Sequence, residues 1–145
     1  MKNKNSTTEL SEITEKKNGY PEIDLTKKII AAAIEVHRIL GLGLGEDVYE
    51  EAFTYELKLQ GIPFERQKQI SVPYKDIIAK TYQLDFLINN KVIVEIKAVS
   101  ELNDFHKAQI LSYLRAANLK VGLLINFNVK MLRTGIKRLI SSKVK

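Results

Sequence analysis

A chain of 145 residues has room for one domain. At 45% hydrophobic and 28% charged it reads as globular rather than disordered. It has no cysteine, which excludes disulfides, a cysteine nucleophile, iron–sulfur ligation and cysteine-built zinc sites, and its two histidines would leave a zinc site dependent on carboxylates. The longest apolar run, Ile29 to Ile34, is too short to span a membrane, and the polar start MKNKNSTTEL lacks an apolar export core, so the expected compartment is the cytoplasm. The net charge of +6 is uneven: from Phe105 onward there are nine basic and no acidic residues, while residues 1–104 carry −3. A basic C-terminal third suits a polyanion such as nucleic acid, although a solvated surface would look the same.

Residues 1–23 are polar, end near Tyr20-Pro21, and are expected to form a mobile tail ahead of a single domain over 24–145. From Asp24 the pattern becomes helical, with Ile29, Ala33, Val36 and Leu40 on one stripe. The run GLGLG (41–45) breaks that helix. A second helix is expected from Glu46 to Gln60, stopped by Gly61, with Val48, Ala52, Tyr55 and Leu59 buried. Ile70, Val72 and Tyr74 alternate as in a half-buried strand, and 78–88 and 92–99 are two longer β-rich runs. Asn103-Asp104 opens a third helix to about Asn118, VGLLINF (121–127) reads as a buried strand, and the basic end is ambiguous. This order predicts an α/β fold. A three-stranded meander and a fourth strand, parallel after a helical crossover, form a mixed sheet flanked by helices.

The turn between the two long runs decides which residues share a face. A two-residue turn at Asn89-Asn90 would mix charge into every hydrophobic set. A three-residue turn, Asn89 to Lys91, pairs Ile88 with Val92, Phe86 with Val94 and Leu84 with Ile96 on an apolar face. On the other face it sets Asp85 opposite Glu95 and Gln83 opposite Lys97. Such a turn needs a left-handed residue, which Asn tolerates. Two carboxylates with Cβ atoms about 5 Å apart repel by roughly 3 kcal/mol at an effective dielectric of 20. A shared proton, a hard divalent cation or Lys97 would offset this; so would a pair splayed into water with Lys97 as its salt-bridge partner.

Asp85-x9-Glu95-x-Lys97 is similar to the signature of the PD-(D/E)XK nuclease superfamily. Gly43-x-x-Glu46-x-x-Tyr49, within HRILGLGLGEDVYEEAF, resembles the GxxExxY family, a branch of that superfamily. YQLDFLINNKVIVEIKAV and HKAQILSYLRAANLKVGLLINF resemble that family's middle and end, so the likeness runs over about 25–140. One departure is Leu84, where the pattern has proline before the first Asp. The resemblance implies a restriction-endonuclease-like core and hydrolysis of a phosphodiester of DNA or RNA by in-line attack of water. It implies that Asp85, Glu95 and the Ile96 carbonyl hold Mg²⁺ or Mn²⁺, with Glu46 as a further carboxylate and Lys97 orienting the attacking water. Gln109 and Tyr113, at i and i+4 on one helix face, resemble a Gln-x-x-x-Tyr pair that positions substrate in an exonuclease-like branch.

His106 shares that face, but such a histidine is more often an ordinary helix residue; His37, which some relatives' pattern would make a ligand, is expected to be structural. Gly43 is expected to permit the turn that aims Glu46, and Tyr49 to pack or to bond Glu46. A catalytically silent nucleic-acid-binding or protein-interaction module with the same fold is the alternative to a nuclease. A phosphatase or nucleotide hydrolase is weaker, because no P-loop is present. No base-reading module is recognisable, so contacts to the nucleic-acid backbone, DNA foremost, are expected. The oligomeric state is left open, a homodimer included.

Overall fold

The structure, a computed structural model, describes residues 20–142. Most of the expected tail lies outside that range. Of its last residues, Tyr20 sits 5.3 Å from the Arg138 guanidinium, the Pro21 carbonyl accepts a 2.6 Å hydrogen bond from Arg138, and Ile23 is buried. Helix α1 (Ile23–Leu40) buries Ile29, Ala33 and Val36, as its apolar stripe requires, and Leu40 packs against them. Among the described residues no helix is long and apolar enough to cross a membrane.

Helix α2 (Glu46–Leu59) is turned by one position from expectation. Val48, Tyr55 and Leu59 are 40%, 62% and 61% exposed, whereas Tyr49, Phe53 and Leu57 are buried. The aromatic pair decides the rotation: Tyr49 stacks on Phe127 at 4.7 Å and Phe53 meets Phe86 at 5.0 Å. Two large rings remove more apolar area from water than Val48 and Ala52 would.

Five strands follow: β1 (Phe64–Tyr74), β2 (Ile77–Ile88), β3 (Val92–Lys97), β4 (Val121–Asn126) and β5 (Ile136–Ile140). They form one sheet in that order, antiparallel except for the parallel β3–β4 pair. Helix α3 (Asp104–Ala117) supplies the crossover between those two, and a 3₁₀ turn (Leu132–Gly135) leads into β5. The mixed sheet flanked by helices is as expected, with β1 longer and β5 additional. The three-residue turn is also observed: Ile88 pairs with Val92, Leu87 with Ile93 and Phe86 with Val94. Asn89 and Asn90 take left-handed φ values of 52° and 57°.

The expected third apolar pair, Leu84 with Ile96, does not form. Ile96 joins Phe86, Ile88, Val92 and Val94 in the core under α1 and α2. Leu84 joins Ile70, Leu87, Ile93, Ile110 and Leu114 in a second core under α3. Strand residues two apart normally share a face, so β2 changes face between Leu84 and Phe86. On β1, Phe64 belongs to the first core and Ile70 to the second. The ladder passes from Arg66–Phe86 to Lys68–Leu84 and leaves Gln67 and Asp85 unpaired between them, with Gln67 at a left-handed φ of 51°. Both strands therefore turn over at the rung that carries Asp85.

Candidate active site

The β2–β3 ladder ends at Phe86–Val94. At the next rung side chains replace backbone partners. The Asp85 amide donates to Glu95 Oε2 at 2.8 Å, and the Ile96 amide donates to Asp85 Oδ2 at 2.8 Å. The two carboxylates thus satisfy the amides that the strand separation would otherwise leave unpaired, which is what a buried backbone N–H demands. Glu95 is only 5% exposed.

Glu46 reaches this rung from the first turn of α2. The preceding loop turns on Gly43, whose φ of 101° is outside the reach of an ordinary side chain. Tyr49 fixes the loop: its hydroxyl donates to the Gly41 carbonyl at 2.7 Å and accepts from the Leu44 amide at 3.2 Å. Tyr49 therefore clamps the glycine loop and has its bonds there. One turn after Glu46 comes Glu50, and one oxygen from each of Glu46, Glu50 and Asp85 lies within 4.8 Å of the others. The expected site did not include Glu50. Its signal was the i, i+4 spacing from Glu46, which puts both on one helix face. Arg66 anchors Glu50 at 3.2 Å and Glu51 at 2.9 Å. Glu95 stands outside that three-oxygen group, linked to it through the Asp85 amide.

Every acid at this rung is harder to ionise than usual. Burial pushes Glu95 up to about 8, reinforced by the Asp85 charge and opposed by the Asp85 amide and Lys97. Burial also raises Asp85, with the Ile96 amide acting the other way and Glu46 adding to the rise. Glu46 and Glu50 are raised by burial first, then by neighbouring acids, while Lys97 and Arg66 respectively lower them. Lys97 is thus the cation whose field reaches Glu46, Asp85 and Glu95 together. Its backbone is held by a 2.9 Å bond from the Phe127 amide. Just beyond, the buried Asn126 side chain holds both the Val99 amide, at 3.0 Å, and the Val99 carbonyl, at 2.9 Å. Asn126 ties the end of β4 to the segment after Lys97, a tie that the apolar run around it concealed.

On the α3 side, burial and then the Glu95 charge push the Tyr113 hydroxyl up to about 12, with Tyr82 and Asp85 contributing. Tyr113 thus feels the charges of Glu95 and Asp85, and Gln109 lines a cleft with it. Both histidines have structural partners. His106 Nδ1 accepts from the Asn103 amide at 3.2 Å in a capping box. His37 Nε2 lies 2.7 Å from the Val129 carbonyl, tying α1 to the segment after β4. Of the basic residues in the last third, Arg138 is spoken for by Thr26 at 2.8 Å and by Pro21.

Carboxylate oxygens are hard donors, and three of them converging beside a fourth acid fit a small divalent cation. Such a charge would relieve the burial and mutual repulsion that hold these acids above their ordinary range. A mixed-sheet α/β fold with acids at a parting of two strands and a lysine two residues on defines a class of nucleases. The model of the PD-(D/E)XK nuclease superfamily matches residues 23–139, and the chain belongs to that superfamily. Membership supports a nuclease-type function and implies a nucleic-acid substrate. A comparison with curated proteins found no match.

Proposed function

We propose that the protein is a phosphodiesterase of the GxxExxY branch, dependent on Mg²⁺ or Mn²⁺, that hydrolyses DNA or RNA, with the cytoplasm as its compartment. The observation that carries this reading is the convergence of Glu46, Glu50 and Asp85 within 4.8 Å of one another, beside buried Glu95. Asp85, Glu95, Glu46 and the Ile96 carbonyl are the proposed metal holders, with Glu50 as an added candidate. The cation would supply Lewis acidity toward the phosphodiester and a more acidic water. The chain's own residues do the rest. Lys97 orients the attacking water and balances charge as the phosphate reacts. Gln109 and Tyr113 position the strand on the α3 side. Arg66 keeps Glu50 turned toward Asp85.

Asp85 and Glu95 also stitch the backbone, which by itself suits a silent binding module with the same fold. Cleavage separates the two readings. Single- and double-stranded DNA and RNA are incubated with Mg²⁺ or Mn²⁺, with Lys97→Ala and Glu95→Ala as controls. Cutting by the wild type that both variants lack supports the nuclease. Cutting retained by Lys97→Ala overturns its assigned role, and no cutting of any substrate leaves the binding module.

A further inference from the structure

Between α3 and β2 lies a cleft of about 200 Å³ lined by Tyr82, Phe105, Ala108, Gln109, Ser112 and Tyr113. Phe105, in the first turn of α3, is 68% exposed, the most exposed large apolar side chain among the described residues. It belongs to neither core. In the same cleft the ring of Tyr82, on β2, meets that of Tyr113, on α3, at 5.3 Å with an interplanar angle of 51°. The Lys80 ammonium lies 5.0 Å from the Tyr82 ring centroid. Three aromatic side chains, two polar side chains and a lysine thus gather between α3 and the strand that carries Asp85, and folding explains only the two tyrosines.

Building on the nuclease reading, we infer that this cleft receives an unpaired base, which makes single-stranded nucleic acid the preferred substrate. Tyr82, which lines the cleft, stands three residues before Asp85 on β2, so a base held there belongs to a nucleotide close to the scissile phosphate. Aromatic faces bind bases of any sequence, while the amide of Gln109 and the hydroxyl of Ser112 offer donors and acceptors to a base edge. Lys80 supplies a charge for the neighbouring phosphate. A regular duplex has nothing to place in such a cleft, because its base faces are already stacked on one another. An apolar partner protein would have no need of the cation or of the adjoining acids.

The test is binding of a fluorescein-labelled oligothymidylate, a blunt duplex of the same length and an abasic oligomer, by anisotropy in EDTA. Wild type is expected to bind the oligothymidylate more tightly than the duplex. Phe105→Ala should weaken that binding about tenfold, within the range that base–aromatic stacking covers, and leave duplex, abasic oligomer and melting temperature unchanged. The chain has no tryptophan, so Phe105→Trp installs a single indole. It should keep the affinity, and its emission should change with oligothymidylate but not with the abasic strand. No tight binding of oligothymidylate by the wild type, equal binding by Phe105→Ala, or an equal loss on the abasic strand overturns the inference. Cleavage is scored separately. Cutting that is indifferent to Phe105→Ala spares the nuclease reading and removes the cleft; stacking without cutting does the reverse.

Discussion

Replacing Glu95 by Gln removes a buried charge while keeping an oxygen for the Asp85 amide, which now donates to Glu95 Oε2 at 2.8 Å. In the folded protein Glu95 titrates at about 8, against an ordinary value of 4.5. A raised carboxylate means that the folded state holds its proton more tightly than the unfolded chain. Stability from this group is therefore complete below about pH 4.5 and is lost as the pH climbs through about 8. At about 1.4 kcal/mol per pH unit the whole interval sets a ceiling of about 5 kcal/mol. Relaxation and solvent screening around the ionised group bring the expected effect below that ceiling. We therefore expect metal-free Glu95→Gln to be more stable than wild type by about 3 kcal/mol at pH 8, or about 10 °C in melting temperature for a domain of this size. At pH 4.5 the two should coincide. Urea melts in EDTA across this range measure the difference. If Glu95 is a ligand of the proposed cation, saturating Mn²⁺ should narrow the gap at pH 8, since a cation bound by wild type alone would add about 2.7 kcal/mol at a hundredfold excess over Kd. Parallel stability curves for wild type and variant at every pH would refute the assignment of the raised proton affinity to Glu95.

Lys97→Ala should keep the Mn²⁺-induced rise in melting temperature and lower cleavage at least about 100-fold; single-turnover assays beside thermal melts check both. Tyr49→Phe deletes the hydroxyl that holds Gly41 and Leu44, so stability should fall by about 2 kcal/mol and Mn²⁺ affinity should weaken as Glu46 loses its aim, measured by melts and by calorimetric titration. Exposed Lys137→Glu should reduce the salt slope of duplex binding by about 0.9 if that side chain meets a phosphate, with no change in melting temperature. Arg138→Ala should instead lower the melting temperature, because Arg138 ties β5 to Thr26 and Pro21; a variant that melts like wild type would remove that role.

Periodicity made the hairpin register legible, since only one turn length kept charge off the apolar pairs of Phe86 and Ile88. It did not extend to Leu84. A parity argument assumes an unbroken strand, and the turnover at Gln67 and Asp85 follows from carboxylates that bond to backbone amides. The buried face of α2 is ambiguous in the sequence because two stripes, Val48–Tyr55–Leu59 and Tyr49–Phe53–Leu57, are both apolar at helical spacing. Which one is buried depends on Phe86 and Phe127, distant in sequence. β5 was hidden by Lys137 and Arg138, which break its apolar run; Arg138 is there to reach α1. Asp85, Glu95 and Lys97 were legible because acids and a lysine are costly on a half-buried sheet, and Glu46, on a helix, through its place in Gly43-x-x-Glu46-x-x-Tyr49. Glu50 did not, because on a helix it looks like any surface glutamate paired with an arginine.

Each carboxylate at the parting of β2 and β3 has two oxygens, and backbone amides use one of each. Oδ2 of Asp85 and Oε2 of Glu95 hold the strands, leaving Oδ1 and Oε1 free for other work. The two acids can therefore serve chemistry without unpicking the sheet. A descendant of this chain that gave up chemistry would still need an acceptor at both positions. Asparagine and glutamine would meet that need, and alanine would strand two buried amides. Lys97 and Glu46 carry no such duty and would be free to drift first. On the proposed reading, loss of the lysine, rather than of either strand acid, would mark the end of catalysis among such descendants.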